Sequence, residues 1–530
     1  MDRRDFLRAL AVTGGAAALG AIPGCHAGST TAPPTGSPMG SPSPSATVAG
    51  PPTDADWAAF GSSLDGTLVR PGDAGYASAR RLFNPRFDGV LPAGIANCRS
   101  AADVQRSIAF VRAHDLPIAA RSGGHSYAGY STGTGLVCDV TAMHRVTVNG
   151  AAGTATVGAG ARLIDLYAAL APHGVCVPGG SCPTVGIAGL TLGGGQGVVG
   201  RRFGLTCDVL TSLQVVTAAG DLLTCDANEH ADLFWACRGG GGGNFGIATS
   251  FTFATHPLTT LTLFFLHWAW PAARDVVLAW QDWAPHAPNA LWSNCHLLSN
   301  ADRSSGSQPT VSVGGAYVGT ATALSGLLDT LQSSVGSPPT SRVVTAHDYL
   351  DAMLVEAGCS GLSVAACHLP DQTPQGTLAR EASVARSDFY TKPLTSGSID
   401  AITAAVERRQ ADARMKMVAG VALDAFGGAI NRVAPDATAF VHRDALFLGQ
   451  YNATWPQAAS AVTVAANTAW LNDLYAALRP AASGFAYQNY IDPALAGWED
   501  AYYGSNLARL RQVTAAYDPA GVFAFAQAIR

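Results

Sequence analysis

The residues whose types and spacing could do chemistry fall in three glycine-rich segments. Arg121-Ser122-Gly123-Gly124-His125-Ser126-Tyr127 sets a histidine just after a glycine pair at a strand end. Gly180 to Gly197 holds seven glycines around Cys182, and Arg238 is followed by five more, Gly239 to Gly243, before Asn244-Phe245-Gly246-Ile247. Glycine lacks the Cβ that would keep a pyrophosphate away, and successive glycine N–H groups form an anion-binding nest. A single such cluster is an ordinary surface loop. Three in one stretch of chain point to one extended ligand.

The spacing is not that of a dinucleotide fingerprint, because no βαβ crossover of the right length surrounds Gly180 to Gly197 and its glycines open no clear helix after a strand. Instead RSGGHSY at Arg121 to Tyr127 and GxCPTVG at Gly180 to Gly186 resemble the berberine bridge enzyme-like family of FAD-linked oxidases. That family lies within the vanillyl-alcohol-oxidase superfamily, whose FAD-binding domain is of the PCMH type. The resemblance runs from about Asn84 to Thr255 and resumes at about Phe485 to Gln527. In the family the motif histidine is attached to the 8α-methyl of the flavin and the motif cysteine to carbon 6, roles that fall here on His125 and Cys182. It implies further FAD contacts from Arg121, Ser122, Gly123, Gly124, Ser126, Gly186, Gly189, Gly193, Gly194, Gly195, Gly197, Gly242, Asn244, Gly246, Ile247 and Asn489. Two tethers would fix the ring, raise its reduction potential and leave the substrate face open. No metal is expected.

Tyr487-Gln488-Asn489-Tyr490-Ile491-Asp492 matches the family's YxNYxD segment, where a tyrosine hydroxyl lies over the flavin, so the resemblance assigns Tyr487 as the base that takes a carbinol proton. A phenol of pKa about 10 needs a partner to act near neutrality. Tyr127 is one candidate and Asp424 another, while Gln450 lies where the family has an active-site strand and would be a polar group on the substrate side. Many plant members carry Tyr after the glycine triplet where this chain has Gln196, so their base arrangement and aromatic-alcohol preference do not carry over. Val185 lies near a position that gates oxygen access in the family, which favours an oxidase. The expected reaction converts a sugar hemiacetal or a secondary-metabolite alcohol to a lactone or ketone with O2 as acceptor and H2O2 as product. A dehydrogenase with another acceptor and a non-catalytic carbohydrate-binding flavoprotein are the alternatives.

The elements that must position these residues are read from periodicity. Val104, Ile108 and Val111 recur at helical spacing over Ala101 to His114, and Pro117 to Ala120 then reads as a buried strand running into the histidine loop. Strands follow at Leu136 to Val140, Val146 to Val148 and Thr154 to Val157, with a turn at Asn149-Gly150. A short helix at Leu163 to Ala171 and a further hairpin before the third glycine run complete an α+β unit. From Leu258 the segments lengthen, with strands at Leu261 to Trp268 and Val311 to Tyr317 and helices at Asp275 to Trp283 and Ala321 to Val335, as in an antiparallel sheet covered by helices on one face. The expected division is a leader and linker over 1–53, a two-subdomain PCMH-type FAD domain over 54–257, a substrate domain over 258–482 and a C-terminal segment over 483–530 that returns to the FAD domain.

Composition agrees with a folded enzyme: 48% hydrophobic and 13% charged residues, against about 25% charged in average globular proteins, with 59 glycines over 530 residues. The net charge of −5 is spread without a Lys/Arg block or interleaved aromatics, which excludes a nucleic-acid footprint and an anionic-membrane patch. Small molecules are the expected partners and a monomer the expected state. Arg3-Arg4 before Phe6-Leu7 and an Ala/Gly-rich apolar stretch resembles a twin-arginine export signal. Ile22-Pro23-Gly24-Cys25 resembles a lipobox; lipid at Cys25, simple cleavage and an unprocessed leader stay open. If Cys25 carries lipid and Cys182 flavin, nine of the eleven cysteines remain, so at least one is unpaired.

Overall fold

The computed structural model describes residues 50–304 and 306–530. The export signal and Cys25 lie outside the described residues. Thr53 opens the first helix among the described residues, Asp54–Ser63, with a reciprocal cap: its hydroxyl accepts from Asp56 N–H while the Asp56 carboxylate accepts from Thr53 N–H. The helix Ala101–His114 starts on the Ser100 side-chain cap, buries Val104, Ile108 and Val111, and ends where Asp115 turns left-handed at φ 50°.

Two sheets flank the glycine segments. One has four strands in the order Thr67–Val69, Gly94–Asn97, Leu136–Asp139, Ile118–Arg121, the last three parallel. The other has five antiparallel strands in the order Val146–Asn149, Thr154–Gly158, Ile247–Ala254, Leu210–Val216, Leu222–Asp226. The hairpin between Asn149 and Thr154 is wider than a two-residue Asn-Gly turn, because the Asn149 side chain accepts from Ala152 N–H and Gly153 supplies the left-handed residue at φ 62°.

A third sheet of seven antiparallel strands runs in the order Ser341–Asp348, Thr260–Trp268, Thr310–Tyr317, Leu291–Ser299, Ala419–Ala425, Phe447–Trp455, Ala382–Tyr390. Helices Ala273–Trp283, Ala321–Val335, Ser396–Ala411 and Ala461–Leu478 cover one face, where Trp280 Nε1 donates to Ser293 and Tyr475 packs on Tyr451. The opposite face turns toward the FAD-domain sheets: Gln450 reaches Tyr127, and Ser387 accepts from Tyr487 N–H. The α+β expectation, with a PCMH-type domain joined to an antiparallel sheet covered by helices, holds. Residues 485–530 return across the first domain, where Asn244 Oδ1 accepts from Ile529 N–H. Among the described residues one disulfide joins Cys359 to Cys367, and eight cysteines, including Cys182, are free and buried.

Candidate active site

A cavity of about 1470 Å³, its mouth included, lies between the four- and five-stranded sheets. Its wall brings together Arg121, Ser122, Gly123, Gly124, His125, Ser126 and Tyr127 from the first motif, Val185, Gly186 and Gly189 from the second, and Gly242, Gly246 and Ile247 from the third. Gln488 and Asn489, with Phe523 to Phe525, close it from the C-terminal segment. A Cβ at Gly189 would meet nothing within 4 Å, and one at Gly242 only the Gly189 Cα at 4.0 Å, so bare backbone leaves that space to a ligand. At Gly123 a Cβ would fall 2.2 Å from Gly186 N, which lets the histidine and cysteine loops touch backbone to backbone.

Several buried polar atoms on this wall lack a protein partner: His125 Nδ1, an Arg121 guanidinium nitrogen, Thr132 Oγ1, Gln488 Oε1 and Asn489 Oδ1. Buried polar groups are seldom left unpaired, so such a set marks where a ligand's own polar groups belong. A cationic nitrogen, acceptors and glycine backbone together fit FAD, with its pyrophosphate and its hydrogen-bonding ring edge.

His125 stacks on Phe83 with ring centroids 4.2 Å apart, and its Nε2 lies 2.8 Å from Thr184 Oγ1. Burial, helped by the Arg162 charge, lowers its pKa to about 3, so the ring is neutral at any working pH. Cys182 is not among the residues of the cavity wall, and burial, with the Glu381 charge, pushes its thiol up to about 12. Its surroundings hold it as a thiol, so nothing there beyond the motif singles it out as a nucleophile.

Gly193, Gly194, Gly195, Gly197 and Asn244 lie outside the wall. The triplet forms a tight turn, with φ of 114° at Gly194 and 88° at Gly195. A Cβ at Gly193 would fall 2.1 Å from Asn489 Oδ1, one at Gly195 2.2 Å from Thr206 Oγ1 and one at Gly197 1.7 Å from Gly179 O. Here glycine lets other groups close in; at Gly193 it admits Asn489, which does reach the cavity. Asn244 ties Gly240 O to Ile529 N–H.

The residues singled out for proton transfer assemble beside the cavity. Fully buried Tyr487 is ringed by Phe389, Phe440 and Tyr490, and its hydroxyl oxygen accepts from Gln196 N–H at 3.1 Å. The Gln196 side chain hydrogen-bonds Asp424, so one residue touches both groups. Burial raises the Asp424 carboxyl to about 7, against the lowering effect of that hydrogen bond. Gln450 Nε2 donates to Tyr127 O–H at 2.9 Å, and Tyr127 stacks on Tyr490 at 5.5 Å.

Sequence reasoning missed Glu356, at the end of the helix Tyr349–Glu356. Burial and the Asp424 charge raise it to about 7, and its Oε1 is buried without a partner. No spacing could have linked it to Asp424, because only the sheet topology brings them together. Gln196 was visible, but only as a departure from plant relatives. Strand register also extends the site: Gln450 pairs with Ala422, Ala422 with His296, His296 with Ser312 and Ser312 with His267. Side chains in one register row share a face. Four strand spacings carry this row roughly 19 Å from Gln450 to His267. Asn294 lies beside Asp424 in the adjacent row, and Asn294, His296, Ser312 and His267 are all half-buried.

The FAD binding domain family profile matches residues 92–226 and the berberine and berberine-like profile matches 486–530. An FAD-linked oxidoreductase of Bacillus subtilis, YgaK, is 34% identical over 473 residues, covering 88% of this chain and 97% of the relative. The xylooligosaccharide oxidase of Thermothelomyces thermophilus is 30% identical over 472 residues, 84% of this chain and 88% of that protein. Among solved structures, the berberine bridge enzyme-like protein 1 of Physcomitrella patens superposes with a TM-score of 0.80 at 31% identity, covering 89% of this chain and 98% of that one. With the glycine-lined cavity between two sheets, the motif histidine at its wall and the C-terminal segment closing it, the chain belongs to the berberine bridge enzyme-like family of FAD-linked oxidoreductases.

Proposed function

We propose that the protein is an exported oxidase that carries FAD covalently on His125 and Cys182 and oxidises the hemiacetal carbon of a sugar, with O2 as acceptor and H2O2 as co-product. The carrying observation is the junction at Gln196, whose backbone N–H meets the Tyr487 hydroxyl and whose side chain meets Asp424. Tyr487 takes the hydroxyl proton of the substrate. The Gln196 N–H on its oxygen steadies the phenolate that must precede this transfer, and Asp424, ionised above about pH 7, is the acceptor for the proton Tyr487 gives up to reach it. Gln450 and Tyr127 hold the substrate oxygens in place. Bound FAD supplies the hydride acceptor, which O2 then regenerates.

Three features favour a sugar over an aromatic alcohol. Gln196 stands where many plant members have Tyr. The row from Gln450 to His267 offers neutral amide, hydroxyl and imidazole groups, and burial holds His296 at about 4 and so uncharged. The similar xylooligosaccharide oxidase acts on such a substrate by its name. Export follows from the paired arginines of the leader, with or without lipid at Cys25.

The test is a panel of mono- and oligosaccharides and alcohols, read as peroxide in a peroxidase-coupled assay after acid precipitation of the protein. Yellow colour in the pellet and peroxide with aldoses are expected. Dye reduction without peroxide would make the protein a dehydrogenase, and neither on any substrate would make it a binding protein.

A further inference from the structure

We propose that Cys98 and Cys138 form a redox modification site: hydrogen peroxide or another small hydroperoxide closes a disulfide between them, and the bond staples the sheet that carries the histidine loop. The inference goes beyond the oxidase reading and needs neither its substrate nor its covalent flavin.

Both thiols are fully buried, and their sulfurs lie 3.5 Å apart. The sheet register puts them there. Cys138 pairs with Ala96 across the parallel strands Gly94–Asn97 and Leu136–Asp139, and Cys98 follows Ala96 by two residues, which returns its side chain to the same face. Cys98 N–H donates to Asp139 O at 2.8 Å and carries the ladder one step past the strand end. Ser107 of the helix Ala101–His114 closes over the pair, its Oγ 3.7 Å from the Cys98 sulfur. A disulfide needs its sulfurs about 2.05 Å apart, so these two must approach by about 1.5 Å, a shift that side-chain rotation supplies while the ladder keeps its register. The contact with Cys98 and burial push the Cys138 thiol well above its usual range, so the pair stays reduced until a small, uncharged oxidant reaches it. Ala120, which pairs with Cys138 from the other side, lines the cavity, as does Val140, so a single strand separates the pair from that space.

The chemistry balances in two steps. One sulfur attacks the peroxide, the O–O bond breaks, and a sulfenic acid and one water form. The second sulfur then displaces the sulfenic oxygen, which leaves as another water with the remaining thiol proton. Two electrons pass from the thiols to the peroxide, and one S–S bond forms. That bond closes a loop of chain holding the helix Ala101–His114, the strand Ile118–Arg121 and all of Arg121 to Tyr127. Asp139, next to Cys138, accepts from Arg121 Nε at 2.6 Å, so the staple sits beside the ion pair at the start of the histidine motif. Fastening both ends of this loop restricts the unfolded chain and stabilises the fold.

The experiment uses the full chain, purified with reductant, freed of it and divided between air-free buffer and excess hydrogen peroxide. Free thiols are alkylated in denaturant and tryptic peptides are mapped without reduction. Peptides 87–99 and 122–145 hold Cys98 and Cys138; the second also holds His125, so flavin there adds to its mass. Peroxide should link the two peptides, lighter by two hydrogens than their sum, and raise the thermal midpoint, read by circular dichroism, by about 5 °C. In Cys98→Ser and Cys138→Ser no link should form and peroxide should not raise the midpoint. The wild-type comparison stands by itself if either variant fails to fold. A link that survives the reductant supports the site, and the serine variants then supply the unlinked comparison. Both cysteines alkylated singly after peroxide, or each carried separately to sulfinic acid, overturns the proposal. A link that forms without moving the midpoint overturns the staple.

Discussion

Replacing Asp424 with Asn should make the enzyme more stable and far less active, and the gain in stability should build up between about pH 4 and pH 7. Burial raises this carboxyl from 3.8 to about 7, so the folded chain keeps a proton that the unfolded chain has lost between roughly pH 4 and 7. The penalty for holding the charge is therefore absent below about pH 4, accumulates from there to about pH 7 and is complete above it. About three units at 1.36 kcal/mol each bound the relief at ~4 kcal/mol above pH 7. Asn keeps a partner for Gln196 but carries no charge. Thermal melts at pH 4 and pH 8 should show Asp424→Asn nearly unchanged at the first and raised at the second. Without the carboxylate the rate should fall by about 10²-fold or more, the usual scale for losing a proton acceptor. The wild-type kcat/KM should rise with pH through about 7, and the variant should lose that limb. Glu356 shares the site, so the limb reports the pair rather than one residue. A variant with the wild-type pH profile, or with the same melting shift at both pH values, would refute the assignment of Asp424 as the charged partner of Tyr487.

Tyr487→Phe should retain full flavin content while kcat falls by about 10²- to 10⁴-fold, measured by peroxide release on the best sugar. His125→Ala and Cys182→Ala should each keep flavin through acid precipitation, and only the double variant should release it, as intact mass will report. Gly189→Ala needs no unusual backbone and its Cβ meets no protein atom within 4 Å, so it should fold with an unchanged circular dichroism spectrum but bind flavin poorly, read as absorbance near 450 nm per protein. That wavelength is a property of oxidised flavin, about 450 nm.

The half of the fold with clear alternation was legible from the sequence. The helix at Ala101–His114 shows its apolar stripe and its Ser cap, and the helix at Ala321–Val335 repeats the pattern with Leu324, Leu328, Leu331 and Val335 buried. Ala419–Ala425 and Phe447–Trp455 escaped because every residue in both is buried, which erases the period-two signal that marks a half-exposed strand. Those are the strands that carry Asp424 and Gln450, so their exact setting was invisible although the residues themselves were named. The glycine run carried less information than its length implied. Its triplet serves a turn and the docking of Asn489, whereas the ligand space depends on Gly189 and Gly242. The contact of Thr184 with His125 was not visible in the motif that holds Thr184, because two loops bring the residues together.

The return of the last segment has a consequence for how the protein is made. Gln488, Asn489 and Phe523 to Phe525 form part of the cavity wall, and Ile529 is fastened to Asn244 of the first domain. A nascent chain that has completed every glycine motif still lacks that wall until residues beyond 525 leave the ribosome. Cofactor loading is therefore a step that follows synthesis. A chain that stalls or is clipped before this stretch presents an open groove, with its buried polar atoms exposed to water instead of to a ligand.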